Sequence, residues 1–284
     1  MRTVETAADL RAAITEARQA SRRIGFVPTM GALHAGHASL MQLARQHCDF
    51  IVVSIFVNPT QFGPREDFAR YPRPLAADAE LCAAEGIDLL FTPQPSVIYP
   101  NSASTFVTVE GLSDILEGAH RPGHFRGVAT VVAILFNLVQ PDIAFFGQKD
   151  GQQVAVIKKM VRDLRIPVEI GVGPTVRAVD GLALSSRNAY LSPSQRQSAT
   201  VLFQVLELAR QRLRQGCRDS QALHDELRAL IRATPDAELD YLAFVHPDTM
   251  TPVAPLTGQV MTVLAVRFGS TRLIDNMIVD VPER

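Results

Sequence analysis

Two histidines, His34 and His37, stand on either side of Gly36 in the run FVPTMGALHAGHASL. Gly31, Gly36 and the small residues Ala32, Ala35 and Ala38 let backbone approach a ligand closely where a helix begins. A helix N-terminus offers N–H groups and the positive end of a dipole, both suited to phosphate oxygens. Two imidazoles at this spacing can reach one phosphate chain, donating hydrogen bonds and, when protonated, a charge that grows useful as pyrophosphate leaves. Capping or packing at the turn is the alternative for either ring. The stretch from Gly31 to Gly36 is no P-loop, because His37 and Ala38 stand where that motif needs Lys and Ser/Thr. The spacing G-x-G-x-x-G is also missing after the first apolar run, and no third ligand for zinc stands nearby.

The elements that must position this loop follow from the apolar pattern. Strands are predicted at 24–28, 50–57, 87–91, 106–109, 143–146 and 168–172, with helices at 37–47, 74–84, 127–138 and 152–164. Runs such as DFIVVSIFV and DIAFFG are apolar without alternation, as expected of strands covered on both faces by helices. The alternation of strand and helix predicts an α/β fold with a Rossmann-like, doubly wound parallel sheet, whose ligands bind beyond the carboxyl ends of the strands. After about residue 175 the pattern changes to two amphipathic helices, 194–214 and 220–233, and β-rich segments at 239–245 and 260–268. The expected domains are 1–175, binding the nucleotide, and 176–284, a smaller α+β domain closing over it.

The totals narrow the function class. With 284 residues, two domains are expected; 47% hydrophobic and 20% charged residues describe a globular chain rather than a disordered one. Lys and Arg number 28 against 29 Asp and Glu, so no broad positive field exists to gather nucleic acid or an anionic membrane. The cysteines Cys48, Cys82 and Cys217 are far apart, with no C-x-x-C spacing, which fits a reducing cytoplasm. The N-terminal run MRTVETAADLRAAITEARQA is charged and helical in pattern, unlike a signal peptide, and no apolar run reaches membrane-spanning length.

H-x-G-H after a first strand resembles the signature of the nucleotidyltransferase and class I aminoacyl-tRNA synthetase superfamily, which works at the α-phosphate of ATP. The run LSSRN at 184–188 occupies the place of that superfamily's second signature. Three further stretches, FVNPTQFGPREDFARYPR, HFRGVATVVAILFNLVQPDIAFFGQKDGQQ and DGLALSSRNAYLS, narrow the resemblance to the pantoate–β-alanine ligases. The resemblance runs over about residues 1–195. It implies ATP as cosubstrate with Mg²⁺, pantoate and β-alanine as the other substrates, a pantoyl-adenylate intermediate, and a homodimer.

Residue roles carried over with that resemblance are these. Met30, Gly31, Ala32, Leu33, His34, Ala35, Gly36 and His37 line the nucleotide, with His37 as proton donor. Lys149 meets the α-phosphate, or is a solvated charge at a helix start. Asp150 accepts from the ribose hydroxyls while Gly147 and Gln148 adjoin the sugar, although Asp150 also suits a helix cap. Ser185, Ser186 and Arg187 hold the terminal phosphates beside Val176 and Leu184. Gln61 and Gln153 bind pantoate, with Arg126 and Tyr71 at its rim. Val131 and Val132 suit its methyl groups or simple helix packing. Asp78 is the expected Mg²⁺ ligand, or a member of a solvated helix face. Gln148 and Gly151 depart from the common glutamate and aromatic residue of the family. Two rival readings remain open at this point: transfer of AMP to a phosphorylated acceptor, and a noncatalytic ATP sensor.

Overall fold

In the computed structural model of the chain, which describes residues 1–64 and 66–282, the apolar runs become a parallel sheet. Its elements are β1 (Arg2–Val4), α1 (Ala7–Gln19), β2 (Ile24–Thr29), α2 (Ala35–His47), β3 (Phe50–Ile55), α3 (Leu75–Ala84), β4 (Leu89–Phe91), the short α4 (Pro95–Ile98) and α5 (Glu117–His120), α6 (His124–Val139), β5 (Ile143–Gly147), α7 (Gly151–Asp163) and β6 (Glu169–Gly173). The strand order is β1-β4-β3-β2-β5-β6 and every pairing is parallel.

Lack of alternation in these strands has the expected cause. Val27, Ile51, Val53, Leu90, Ile143 and Phe145 pack with Leu40, Met41 and Ala44 of α2 and Cys82 of α3 on one face. Neighbouring residues point to the other face. There Phe146 meets Phe136 of α6, ring centroids 6.4 Å apart. The order of connection reverses between β2 and β5, and a sheet of this kind takes its ligand at that point. The chain leaves β2 at Thr29 and enters the glycine-rich loop.

The remaining elements are α8 (Pro193–Ser198), α9 (Val201–Arg214), α10 (Ser220–Arg232) and an antiparallel sheet of β7 (Ala237–Val245), β8 (Gly258–Phe268) and β9 (Thr271–Val281), in that order. Leu206, Leu213, Leu227 and Ile231 of the helices pack on Leu242, Leu264, Val266 and Val279 of the sheet. The chain divides into two compact units. One comprises Met1–Gly147 and Val156–Gly173; the other comprises Gln148–Ala155 and the described residues from Pro174 onward.

Three predicted elements are corrected and one is added. Residues 106–109 form no strand, because the Val107 N–H is taken by Thr130 Oγ1 of α6 at 3.0 Å and Phe106 lies exposed. The predicted helix 194–214 breaks after Ser198, where Thr200 Oγ1 donates back to the Gln197 carbonyl at 2.8 Å and competes with the helical ladder. Arg2–Val4, read as part of a helix, pairs with β4; Thr6 caps the helix only afterwards, its side chain accepting from Asp9 N. Strand β9 was not foreseen at all.

Candidate functional site

Loop Met30–His34 leads into α2, and its two left-handed residues, Gly31 (φ 82°) and Ala32 (φ 51°), fold it into a concave row of amides. That row already holds an anion. Asp78 of α3, 2% exposed, accepts from Ala32 N at 2.9 Å and Leu33 N at 2.7 Å. Burial rules out the solvated helix face as the setting of Asp78, and both its oxygens brace the loop. A Cβ at Gly31 would stand 2.9 Å from Asp78 Oδ2, so the brace also requires the glycine.

His34 and His37 form a reciprocal cap. Gly36 N donates to His34 Nδ1 at 3.1 Å, and His34 N donates to His37 Nδ1 at 3.2 Å. The rings lie 4.2 Å apart, centre to centre. Capping and ligand binding were read as alternatives from sequence, yet the geometry makes them compatible. With Nδ1 accepting on each ring, the neutral imidazole carries its proton on Nε2. Because Gly36, His37 and Ala38 N–H groups bond within the turn, donor capacity passes from the helix amides to the imidazoles.

Gln61 is held at several points within the first unit. Its carboxamide accepts from Asn58 Nδ2 at 3.0 Å and its Nε2 donates to Met30 Sδ. His124 Nδ1 meets its backbone carbonyl at 2.9 Å. Gly127 at the start of α6 admits this packing, since a Cβ there would stand 2.5 Å from the Thr60 carbonyl oxygen. Arg121 pairs with Glu66 through two hydrogen bonds, 2.8 and 2.6 Å, and reaches His124 Nε2 at 3.2 Å. Asn58, Arg121 and His124 escaped the sequence reading although two of the quoted motifs contain Asn58 and His124; a polar Asn directly after the apolar run at 50–57 was the available signal.

Burial pushes His124 down from 6.5 to about 4, helped by the neighbouring Arg121 charge. Burial also opposes ionisation of Glu66, but the Arg121 hydrogen bond and charge prevail and hold it below the ordinary value. A histidine with a depressed pKa binds fewer protons folded than unfolded, so stability is lost as pH falls from 6.5 towards about 4. At about 1.4 kcal/mol per unit the loss is capped at about 3.5 kcal/mol. The charged groups facing the ring are Arg121, Glu117 and Glu66. His124→Asn keeps a donor to the Gln61 carbonyl without a titration, so its urea midpoint should vary less with pH across that window than that of the parent. Parallel pH profiles for the two proteins would contradict this assignment.

Other members of the expected set fall in different surroundings. Tyr71 is buried against Phe62, ring centroids 5.8 Å apart. Val131 and Val132 are 6% and 4% exposed and serve the core of α6. Arg126 is exposed, its guanidinium 3.7 Å above the Phe106 ring.

In the second unit, a one-turn 3₁₀ helix (Gln148–Asp150) follows Gly147 and carries Lys149, whose Nζ lies 3.4 Å from Asp150 Oδ1. Gln153 is half-buried on the first turn of α7. Val176 and Leu184 are brought together by a bond from Leu184 N to the Val176 carbonyl at 3.0 Å, closing a hairpin through Gly181 (φ 90°). The chain then turns at Ser185, whose Oγ accepts from Arg187 N, into a short 3₁₀ helix, Ser186–Tyr190. The hairpin thus delivers Ser185, Ser186 and Arg187 as one cluster.

A family model described as pantoate-beta-alanine ligase matches residues 2–278. The pantothenate synthetase of Moorella thermoacetica is 52% identical over 281 residues, covering 99% of both chains. That of Pseudomonas aeruginosa is 52% identical, covering 98% of this chain and 99% of its own. The crystal structure of pantothenate synthetase from Thermus thermophilus superposes with a TM-score of 0.93 at 50% identity, covering 98% of this chain and 99% of that one. A Francisella tularensis pantoate-beta-alanine ligase, complexed with beta-gamma ATP and beta-alanine, gives 0.81 at 34% identity, covering 98% and 97%.

Proposed function

The chain belongs to the pantoate-beta-alanine ligase family, and from that membership we propose how its residues divide the reaction. It condenses (R)-pantoate with β-alanine, converting ATP to AMP and pyrophosphate through pantoyl adenylate. In the first half a pantoate carboxylate oxygen attacks the α-phosphorus and pyrophosphate leaves. In the second the amine of β-alanine attacks the acyl carbon, AMP leaves and the amine loses its proton.

The observation that carries the assignment is the reciprocal histidine cap. Because each Nδ1 is committed as an acceptor, His34 and His37 act through Nε2–H, donating to phosphate oxygens, with His37 serving the departing pyrophosphate. Lys149 exchanges its contact with Asp150 for the α-phosphate, and Asp150 accepts from ribose hydroxyls. Ser185, Ser186 and Arg187 hold the terminal phosphates, with Val176 and Leu184 packing the nucleotide. Gln61, held rigidly by Asn58, and Gln153 bind pantoate without a cation that would blunt its carboxylate. Tyr71 and Arg126 are assigned to the rim of that pocket.

Mg²⁺ would be held largely through phosphate oxygens and water and would neutralise phosphate charge. The Asp78 carboxylate, the expected protein ligand, also accepts from the loop amides of Ala32 and Leu33. The three thiols are free, which suits the cytoplasm. We also assign a homodimer, to be read as twice 31.0 kDa by sedimentation equilibrium. The test of the function is exchange of labelled pyrophosphate into ATP that requires pantoate and not β-alanine. ATP binding with no exchange would favour an ATP sensor, and exchange independent of pantoate another adenylyl acceptor.

A further inference from the structure

Strand β9 carries two consecutive buried polar residues inside an otherwise apolar run, Asp275 and Asn276, 2% and 4% exposed. Successive side chains on a strand point to opposite faces, so each serves a different partner. Asn276 spends its whole amide on the Lys149 turn. Its Nδ2 donates to the carbonyls of Gln148 and Lys149, both at 2.9 Å, and its Oδ1 accepts from Gln148 Nε2 at 2.9 Å. Asp275 holds Arg177 by two hydrogen bonds, 2.5 and 3.0 Å, and Arg177 begins the hairpin that delivers Ser185, Ser186 and Arg187.

We propose that Asp275 and Asn276 are positioning residues: adjacent on one strand, they tie the Lys149 turn and the Ser185–Arg187 turn to a common base and so set the geometry in which the α- and terminal phosphates are handled. The inference rests on the roles assigned above to Lys149 and the serine-arginine cluster. It also accounts for one departure in the turn: Gln148 supplies an N–H that an ionised glutamate lacks. At Gly151 a Cβ would stand 2.1 Å from Met261 Cε and 3.1 Å from Asn276 Nδ2, so a side chain there requires the end of Met261 to move. Burial raises the pKa of Asp275 and the Arg177 contact opposes that rise. An unpaired Asp275 would therefore be a poor anchor.

The test compares Asn276→Ala, Gln148→Met, Lys149→Ala and the double variant Lys149→Ala/Asn276→Ala in pantoate-dependent pyrophosphate exchange, with thermal midpoints measured alongside. Displacing a reacting group by about 1 Å costs about 10²-fold, so Asn276→Ala should lose about 10²-fold in kcat with KM for pantoate unchanged. Gln148→Met, on a partly exposed turn, removes one of the three bonds and should lose about fivefold; it decides the matter if Asn276→Ala fails to fold. If Asn276 acts through Lys149, the double variant is no slower than Lys149→Ala alone. Full kcat in Asn276→Ala or Gln148→Met beside an inactive Lys149→Ala, or losses that multiply in the double variant, would overturn the positioning role and leave the proposed function standing. An active Lys149→Ala would remove the reading on which both depend.

Discussion

Lys149→Ala is expected to lower pantoate-dependent pyrophosphate release by about 10³-fold, the upper range for removing one preorganised donor from a charge-developing transition state. The Lys149 side chain is only 22% exposed, and its backbone is pinned by Asn276, so its placement is largely settled before substrate arrives. Attack of one anion on another at the α-phosphorus builds charge where a fixed cation is worth most. Asp150, 3.4 Å from Nζ, is a weak contact to exchange for phosphate. Lys149→Arg keeps the charge but extends and flattens the donor, so it should not restore the rate. The folded state loses little, and the thermal midpoint should stay near that of the parent. A rate close to the parent's in Lys149→Ala would show that the charge is supplied elsewhere.

His37 separates two functions that usually fall together. Asparagine places its amide near the Nδ1 position and glutamine near Nε2. His37→Asn should retain the acceptor for His34 N–H, keep the thermal midpoint, and lose about 10²- to 10³-fold in kcat. His37→Gln should do the opposite, keeping more activity while losing about 1 kcal/mol of stability with the cap. Equal stability and equal rates in the two variants would contradict the tautomer on which the phosphate assignment rests.

The layers of the fold were legible wherever burial was simple. Strands β2, β3 and β5 read as unbroken apolar runs because helices cover both faces, and their ends emerged within one or two residues. Strand β9 was hidden by the same feature that makes it useful. Asp275 and Asn276 interrupt its apolar pattern, and their partners lie about a hundred or more residues away. The segment 106–109 alternates like a strand, yet its backbone is occupied by a helix side chain, and periodicity carries no record of that competitor.

The site divides the same way. HAGH and LSSRN announce themselves through local spacing, because a turn and a helix start bring each motif's residues together within a few positions of sequence. Asp78 was picked out for its charge, but its task depends on two amides 45 and 46 residues earlier in the chain. Gln61 was singled out, while the Asn58, Arg121 and His124 groups that hold it were not. A chemically assertive motif shows what reacts; the residues that keep it in place are dispersed and individually ordinary.

The most direct test of the central claim uses pantoate carrying ¹⁸O in both carboxylate oxygens, with ATP, Mg²⁺ and β-alanine, and mass analysis of the nucleotide product. Attack by the carboxylate on the α-phosphorus, followed by cleavage of the acyl carbon–oxygen bond, leaves one labelled oxygen in AMP and one in pantothenate. Unlabelled nucleotide released as ADP, with label in inorganic phosphate, would mean that the acid is activated as an acyl phosphate, and the adenylate assignment of Lys149, His34 and His37 would fall with it.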